Sequence, residues 1–193
     1  MISKSPYYVN GEVKEEDNIL GFKVAYLDKP LELSFTSLKG TQYSYVDFAK
    51  CLNYKQDKAN TSISSTCREK PEYFCTCGFY SYKNFEHAYK EYISRPGTFL
   101  LTVANFGKII EHEFGYRSEI QEVKYLHYRE FCSKYICNKK TFGLALHTSS
   151  YGELCEKHYN CGKNQNFKDK ITLDDLQQLI MLEAIDNNFL LSK

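Results

Sequence analysis

The sequence predicts an α+β fold, in which a curved antiparallel sheet or small β-barrel with a few helices is joined to a small cysteine-rich subdomain. Apolar residues alternate with period two in several stretches before residue 128, which is typical of strands with one buried face. Helical periodicity appears in only two stretches, and four of the eight cysteines fall between residues 129 and 162. The 17 tyrosines and 13 phenylalanines also favour strands.

The first predicted element is a β-hairpin. Residues 21–27 (GFKVAYL) and 31–35 (LELSF) both alternate, and residues 28–30 (DKP) supply the turn between them. Residues 36–42 (TSLKGTQ) are predicted to form a second turn. The side chains expected on one face of each strand are Phe22, Val24 and Tyr26, then Leu31, Leu33 and Phe35.

Two helices are predicted. Residues 83–93 (KNFEHAYKEYI) place apolar side chains at i, i+3, i+4 and i+7, with Asn84 as the N-cap, and residues 95–97 (RPG) end the helix. Thr172 is the predicted N-cap of the second helix, which we expect to continue through the apolar residues up to Ile185.

The strongest strand pattern lies between these helices. Gly107 and Gly115 interrupt an alternating stretch, so we predict a β-meander that closes against the first hairpin as a small barrel or curved sheet. The three predicted strands are residues 99–104, 108–113 and 117–126.

Eight cysteines in a chain that we expect to be cytoplasmic favour metal sites over disulfides. The sequence has no apolar run long enough to span a membrane, and its N-terminus has no apolar signal core. We therefore expect no membrane association, and cytoplasmic thiols are kept reduced. The competing interpretation is a set of unrelated buried thiols, because free cysteine is commonly buried.

The first cysteine cluster has the spacing C-x15-C-x7-C-x-C and consists of Cys51, Cys67, Cys75 and Cys77. Its last two cysteines are separated by one residue and followed by Gly78, so a tight bend turns both sulfurs the same way. Four thiolates in a tetrahedron form a structural zinc site. None of the three gaps has the usual two-residue spacing, so the alternative is a chance cluster at residues 67–77 and one buried cysteine.

Residues from about 21 to 125 resemble a family of uncharacterised, largely actinobacterial hypothetical proteins. The matching pieces are GFKVAYL, Ala49-Lys50-Cys51, Cys67 to Pro71 followed by CTCGFYS, and VANFGKIIEHEFGYRSE. The family motifs look like CxCG[IF]Y and HExGYRxE, with a histidine where this chain has Cys67. Cysteine can replace histidine as a zinc ligand but not as a catalytic base. The resemblance therefore implies a structural metal and implies no activity.

The second cluster begins with Cys132 and Cys137 (C-x4-C), which are followed after 17 residues by Cys155 and His158 (C-x2-H). Two knuckle-like pairs separated by an insert of hairpin length resemble zinc-ribbon or treble-clef sites. Cys161 is the alternative fourth ligand. The competing interpretation is a reduced, partly exposed set of thiols in a lysine-rich loop region. Together the clusters predict one or two structural Zn²⁺ ions, each closed by four protein ligands.

A polar set surrounds the predicted turn at residues 114–115. It consists of His112, Glu113, Tyr116 and Arg117. We expect Glu113 to face Tyr116 across the turn and His112 to lie near Arg117. Such a set could bind an anion through Arg117 or provide acid–base chemistry. The alternative is a solvated hairpin with a cross-strand ion pair.

The regions implied by these patterns are a flexible arm at residues 1–18, a β-rich domain at 19–128 with the first cluster, and a metal-binding subdomain at 129–193 with a C-terminal helix. The function we predict is a zinc-stabilised binding module, with a protein partner favoured because the net charge is only +1. A nucleic-acid partner is the alternative, bound by Lys134, Lys139, Lys140 and Lys157. A further alternative is an enzyme or small-ligand sensor that uses the polar set around residues 114–115, although the sequence has no GxSxG, P-loop, GxGxxG or HExxH motif.

Overall fold

A computed structural model describes most of the chain between residues 12 and 185. The described residues are 12–14, 18–49, 54–55, 64–65, 71, 77–132, 137–147, 150–160 and 170–185. Within them, the secondary structure is mainly antiparallel sheet with a few short helices, which confirms the predicted α+β class. None of the helices in these segments combines the length and hydrophobicity required to cross a bilayer.

Fourteen strands and three α-helices lie in the described residues. The strands are Glu12–Lys14 (β1), Ile19–Lys29 (β2), Ser34–Ser37 (β3), Gln42–Tyr43 (β4), Val46–Phe48 (β5), Tyr54–Lys55 (β6), Ser64–Ser65 (β7), Phe79–Tyr82 (β8), Phe99–Glu111 (β9), Gly115–Arg129 (β10), Gly143–His147 (β11), Ser150–Leu154 (β12), Lys170–Thr172 (β13) and Met181–Ile185 (β14). The helices are Phe85–Ser94 (α1), Glu156–Asn160 (α2) and Leu173–Gln177 (α3).

The largest sheet in the described part of the chain has the strand order β1-β9-β10-β8-β2-β3-β4, and β5 and β14 also pair with β10. Strand β2 pairs with β9 as well, so β2, β8, β10 and β9 form a ring of four strands. This ring is part of a mainly antiparallel sheet, and closure into a small β-barrel stays a prediction. A smaller sheet has the order β12-β11-β13, and β6 pairs with β7.

The chain divides into two compact units. Unit 1 contains the described residues of 1–23, 46–88 and 103–123, and unit 2 contains those of 24–45, 89–102 and 124–193. In unit 1, β10 pairs with β8 and β5 and β9 pairs with β1. In unit 2, β2 pairs with β3, β3 with β4, β10 with β14, and β11 with both β12 and β13. The predicted division at residues 18 and 128 stays a prediction.

The predicted meander is a single long hairpin. Strand β9 continues through Gly107, which has φ +68° and so lies in the left-handed region that is typical of a G1 bulge. The chain reverses only at residues 112–114, where the His112 N–H donates to the Gly115 carbonyl over 2.8 Å. Our prediction of three strands is therefore wrong, because a glycine can be accommodated inside a strand as well as at its end.

The buried face of β2 also differs from the prediction. Val24 on the predicted face is buried, but Phe22 and Tyr26 are only partly buried, and Lys23, Ala25 and Leu27 on the opposite face are buried as well. In the following segment, Leu31 lies in a 3-10 turn and is 74% exposed, and strand β3 begins only at Ser34. Alternation alone gave the correct strand but not its core face, because apolar side chains occur on both faces.

Helix α1 confirms the first helical prediction, with the Asn84 side chain accepting from the Glu86 N–H over 2.7 Å. The second prediction is right only at its start. Thr172 caps α3 by accepting from the Asp175 N–H over 3.1 Å, but the helix ends at Gln177. Residues 181–185 form β14, parallel to residues 125–129 of β10, because that strand edge offers ladder hydrogen bonds to an apolar segment.

Candidate metal centre

The first pair of candidate ligands is positioned by a reversal of the chain in unit 2. Phe131 and Lys140 form an antiparallel bridge, and the Cys132 N–H donates to the Lys139 carbonyl over 2.9 Å. Cys132 lies at the start of this reversal and Cys137 near its end. This reversal places the Cys132 and Cys137 sulfurs on the same side, within 4.8 Å of each other.

The second pair of ligands follows a β-hairpin. Strands β11 and β12 pair in register from Gly143 opposite Leu154, and Cys155 comes directly after β12. Helix α2 begins at the next residue, and the Tyr159 N–H donates to the Cys155 carbonyl over 2.8 Å, as expected for helical backbone. Cys155 and His158 are three residues apart and consequently share one face of this turn.

These elements bring four potential ligand atoms together. The Sγ atoms of Cys132, Cys137 and Cys155 and a ring nitrogen of His158 all lie within 4.8 Å of one another. Nδ1 of His158 is 3.3 Å from the Cys132 sulfur and 3.4 Å from the Cys155 sulfur, and the sulfurs of Cys137 and Cys155 are 3.7 Å apart. In tetrahedral zinc with Zn–S of about 2.3 Å, neighbouring sulfurs are about 3.8 Å apart. The cluster is therefore compatible with one tetrahedral ion.

The thiols of this cluster are available as ligands. The 3.7 Å separation of the Cys137 and Cys155 sulfurs is far longer than the S–S bond of about 2.05 Å, so these two are not joined as a cystine. Burial acts to raise the pKa of Cys155, but hydrogen bonds from the His158 backbone N–H and the neighbouring thiols outweigh it and lower that pKa. The thiolate is the form that binds metal.

The apolar core beneath the cluster is small. The buried side chains that form it are Cys132, Ala145, Leu154 and Cys155, with Cys137 and Tyr159 packed against them. The Tyr159 ring also makes an edge-to-face contact with Phe142, with centroids 5.3 Å apart. Small cores of this kind usually need a metal or disulfides for stability. A bound ion at the cluster would supply that stability.

The predicted second cluster is thus brought together with His158 as its fourth member. The alternative ligand Cys161 lies outside the described residues. Of the first cluster, Cys51, Cys67 and Cys75 also lie outside them, and Cys77 is buried in unit 1. Whether the first cluster binds a metal stays a prediction.

No family model, no curated protein and no solved structure matches this chain.

The polar set at the β9–β10 turn is divided between core and solvent. His112 and Arg117 are buried, Glu113 is exposed, and Tyr116 is partly buried. Lys83 forms an ion pair with Glu111 and lies 5.5 Å from the centroid of the Tyr116 ring. A role for this set in ligand binding stays a prediction.

The motifs that carry the family resemblance are adjacent in the sheet. Strand β8, from CTCGFYS, pairs with β10, from GYRSE, so that Tyr80 lies opposite Arg117. Gly78 has φ +114°, and a Cβ placed on it would lie 2.7 Å from Cγ of Arg117 and 2.9 Å from Cβ of Pro71. Close backbone approach therefore explains the glycine at this position. The resemblance itself stays a prediction.

We expect Gly78→Ala to destabilise the protein by about 3 kcal/mol, since it combines left-handed backbone strain with steric overlap against Arg117. Gly40→Ala is the matched control, because Gly40 has φ +83° but no atom within 4 Å of its would-be Cβ. The control should cost only about 1 kcal/mol, the backbone term. Urea denaturation of both variants measures the difference; equal losses would show that the approach to Arg117 is unimportant.

A buried polar cluster in unit 1 escaped the sequence prediction. Asn105 is fully buried, and its Oδ1 accepts hydrogen bonds from Ser81 Oγ, Ser118 Oγ and Gln121 Nε2 over 3.2, 2.9 and 2.9 Å. The Asn105 Nδ2 donates to the Ile19 carbonyl over 2.9 Å. These residues come from β2, β8, β9 and β10, and only the pairing of the strands brings them together. The sequence signal that could have revealed this cluster is the presence of polar residues on the apolar face of strongly predicted strands.

Lys23 extends this cluster into the core of unit 1. Its Nζ donates to Gln121 Oε1 over 2.8 Å and lies 5.0 Å from the centroid of the Phe79 ring. The side chain is buried, and removal from water lowers the pKa of Lys23 from 10.5 to about 7. Between these two pH values, the unfolded chain binds a proton at Lys23 that the folded chain does not.

The sign of the resulting pH dependence follows from proton linkage. Above pH 7 the free energy of unfolding should rise with pH by about 1.4 kcal/mol per pH unit through Lys23, up to its unfolded pKa. We expect the free energy of unfolding of the wild type, minus that of Lys23→Met, to rise by about that slope between pH 7.5 and 9.5. Lys90→Met, at an exposed site, is the control. A difference that stays constant over this range contradicts the prediction.

A second unpredicted arrangement lies in unit 2. Nε2 of His127 is 2.7 Å from Oγ1 of Thr102, and Nδ1 is 3.3 Å from a carboxylate oxygen of Glu183. The order hydroxyl, imidazole, carboxylate is that of a catalytic triad, but the hydroxyl is buried and the carboxylate exposed. A nucleophile needs the opposite arrangement. Burial lowers the pKa of His127, although the nearby Glu183 carboxylate acts to raise it. The contacts among Thr102, His127 and Glu183 are best explained as polar contacts between neighbouring strands.

Proposed function

We propose that this protein is a binding module for a protein partner, stabilised by a structural Zn²⁺ at Cys132, Cys137, Cys155 and His158. The observation that carries the proposal is that four protein ligand atoms converge within 4.8 Å. Three thiolates and one imidazole complete the tetrahedral coordination of zinc and leave no position for a substrate or an activated water. A closed site of this kind supports architecture and not hydrolysis.

The ligand set favours zinc over other ions. Soft thiolates select zinc, copper(I) or iron–sulfur chemistry, whereas calcium and magnesium require oxygen ligands. The order of elements around the cluster also supports a zinc-ribbon or treble-clef type of site: a chain reversal carries two ligands, a β-hairpin follows, and the other two are Cys155 directly before α2 and His158 within it. His158 completes the set without requiring any further residue.

A protein partner is supported by surface chemistry. The net charge of +1 provides no general attraction for a polyanion. In unit 1, Val46 and Phe48 point from the same face of β5 and are 45% and 61% exposed. Exposed aromatic and aliphatic side chains of this kind are enriched where proteins contact other proteins.

The proposal is tested by metal analysis and cobalt substitution. Protein purified without added metal should contain at least one zinc per chain. Cobalt(II) in its place should give the visible spectrum of a tetrahedral thiolate site, and added cyanide or azide should leave that spectrum unchanged, because all four positions are filled by the protein. Absence of zinc, or a spectrum that shifts with these anions, would contradict a closed structural site.

A further inference from the structure

An open groove adjoins the candidate metal centre in unit 2. Its volume is about 570 Å³, which is within the range of clefts that hold drug-sized ligands. Among the residues that line it are Lys139, Lys140, Lys157, Phe142, Cys155 and Glu156. A metal-ligating sulfur thus forms part of its wall, and three lysines surround it.

The metal ligands determine where these lysines lie. Lys139 and Lys140 lie two and three residues after Cys137, and Lys157 lies between Cys155 and His158. An ion that holds both ligand pairs would therefore hold the backbone of all three lysines around one groove. This preorganisation lowers the entropy lost on binding a ligand.

The electrostatics of the groove are positive but modest. Glu156 also lines it, and exposed Lys140 forms an ion pair with the partly buried Glu130 over 3.3 Å. Exposed pairs of this kind contribute little, so a ligand carboxylate can replace Glu130 as the partner of Lys140. Zinc with three thiolates would add one further negative charge. This small positive net charge suits a ligand with two or three separate acidic groups better than a nucleic acid with a continuous phosphate backbone.

We propose that this groove binds a short acidic peptide segment of the protein partner, with its carboxylates at the three lysines and an apolar side chain against Phe142. This inference rests on the proposed function, because the metal positions the lysines. Phe142 is partly buried, and its ring makes an edge-to-face contact with the Tyr159 ring. Lysine ammonium groups and a nearby aromatic ring match a peptide in which acidic residues flank an aromatic one.

The test is an NMR titration of the zinc-loaded, full-length chain with three probes: the capped peptide Gly-Asp-Phe-Glu-Gly, its neutral counterpart Gly-Asn-Phe-Gln-Gly, and pentathymidylate. The acidic peptide should shift the amide signals of Lys139, Phe142 and Lys157, and should bind about tenfold more tightly than the neutral peptide. Its affinity should fall as salt is raised.

Two triple variants separate a local effect from one of net charge. K139Q/K140Q/K157Q should weaken binding of the acidic peptide about tenfold, whereas K29Q/K39Q/K90Q, which removes the same charge at exposed sites outside the groove, should change it less than about twofold. Equal effects of the two triples, equal binding of the neutral peptide, or tighter binding of pentathymidylate would overturn the proposal. Zinc content measured on the same samples identifies failure of the proposed function separately, since a zinc-loaded chain that does not bind the acidic peptide refutes only the groove.

Discussion

Cys155→Ser is expected to abolish metal binding at the second cluster and to unfold the segment around it. Cys155 is close to both Cys137 and His158, so its loss removes a ligand from the middle of the set. Structural zinc contributes on the order of 10 kcal/mol to the folding of small domains. The small apolar core beneath the cluster offers little to replace that contribution.

Elemental analysis and amide hydrogen exchange measure this effect directly. Zinc should fall by one equivalent per chain, and amides of β11, β12 and α2 should lose protection while those of β8 in unit 1 keep it. Glu156→Gln is the control, since Glu156 is the exposed neighbour of Cys155 and is not a ligand. Retention of zinc by the serine variant, or full protection of β11 without zinc, would argue against a structural metal.

Asn105→Ala is expected to reduce the free energy of unfolding by about 3–5 kcal/mol, because it leaves three buried donors without their shared acceptor. The cost of each unsatisfied buried donor is about 1–3 kcal/mol, and partial rearrangement of the two serine hydroxyls limits the sum. Asn105 is fully buried in β9, so the donors left by its removal have no contact with bulk water.

A graded series makes this prediction independent of whether the alanine variant folds. Ser118→Ala removes a single donor and should cost about 1 kcal/mol. Asn18→Ala, at an exposed position, should change stability by less than about 0.5 kcal/mol. Chemical denaturation of the three proteins gives the comparison. If Asn105→Ala were no more costly than Ser118→Ala, the shared acceptor would have little importance for the fold.

Several features could be predicted from local sequence because their causes are local. The α+β class follows from the alternation in β9 and β10, and α1 follows from its periodicity and the Asn84 cap. The convergence of Cys132, Cys137, Cys155 and His158 was also predictable, because a reversal of the chain, a hairpin and one helical turn each act over a few residues. Spacing is informative where short elements connect the ligands.

Other features depended on strand pairing, which no local pattern specifies. Residues 181–185 form a strand because they pair with residues 125–129 of β10, and Gly107 lies inside β9 with φ +68° instead of ending the strand. The same is true of Asn105 and Lys23, whose partners lie on other strands up to 98 residues away. The sequence alone determined the α+β class, the first helix and the metal-ligand spacing, since these depend on interactions between near neighbours. Only the tertiary structure decided the core face of β2, the buried polar cluster and the lysine-lined groove, since these depend on contacts between distant residues.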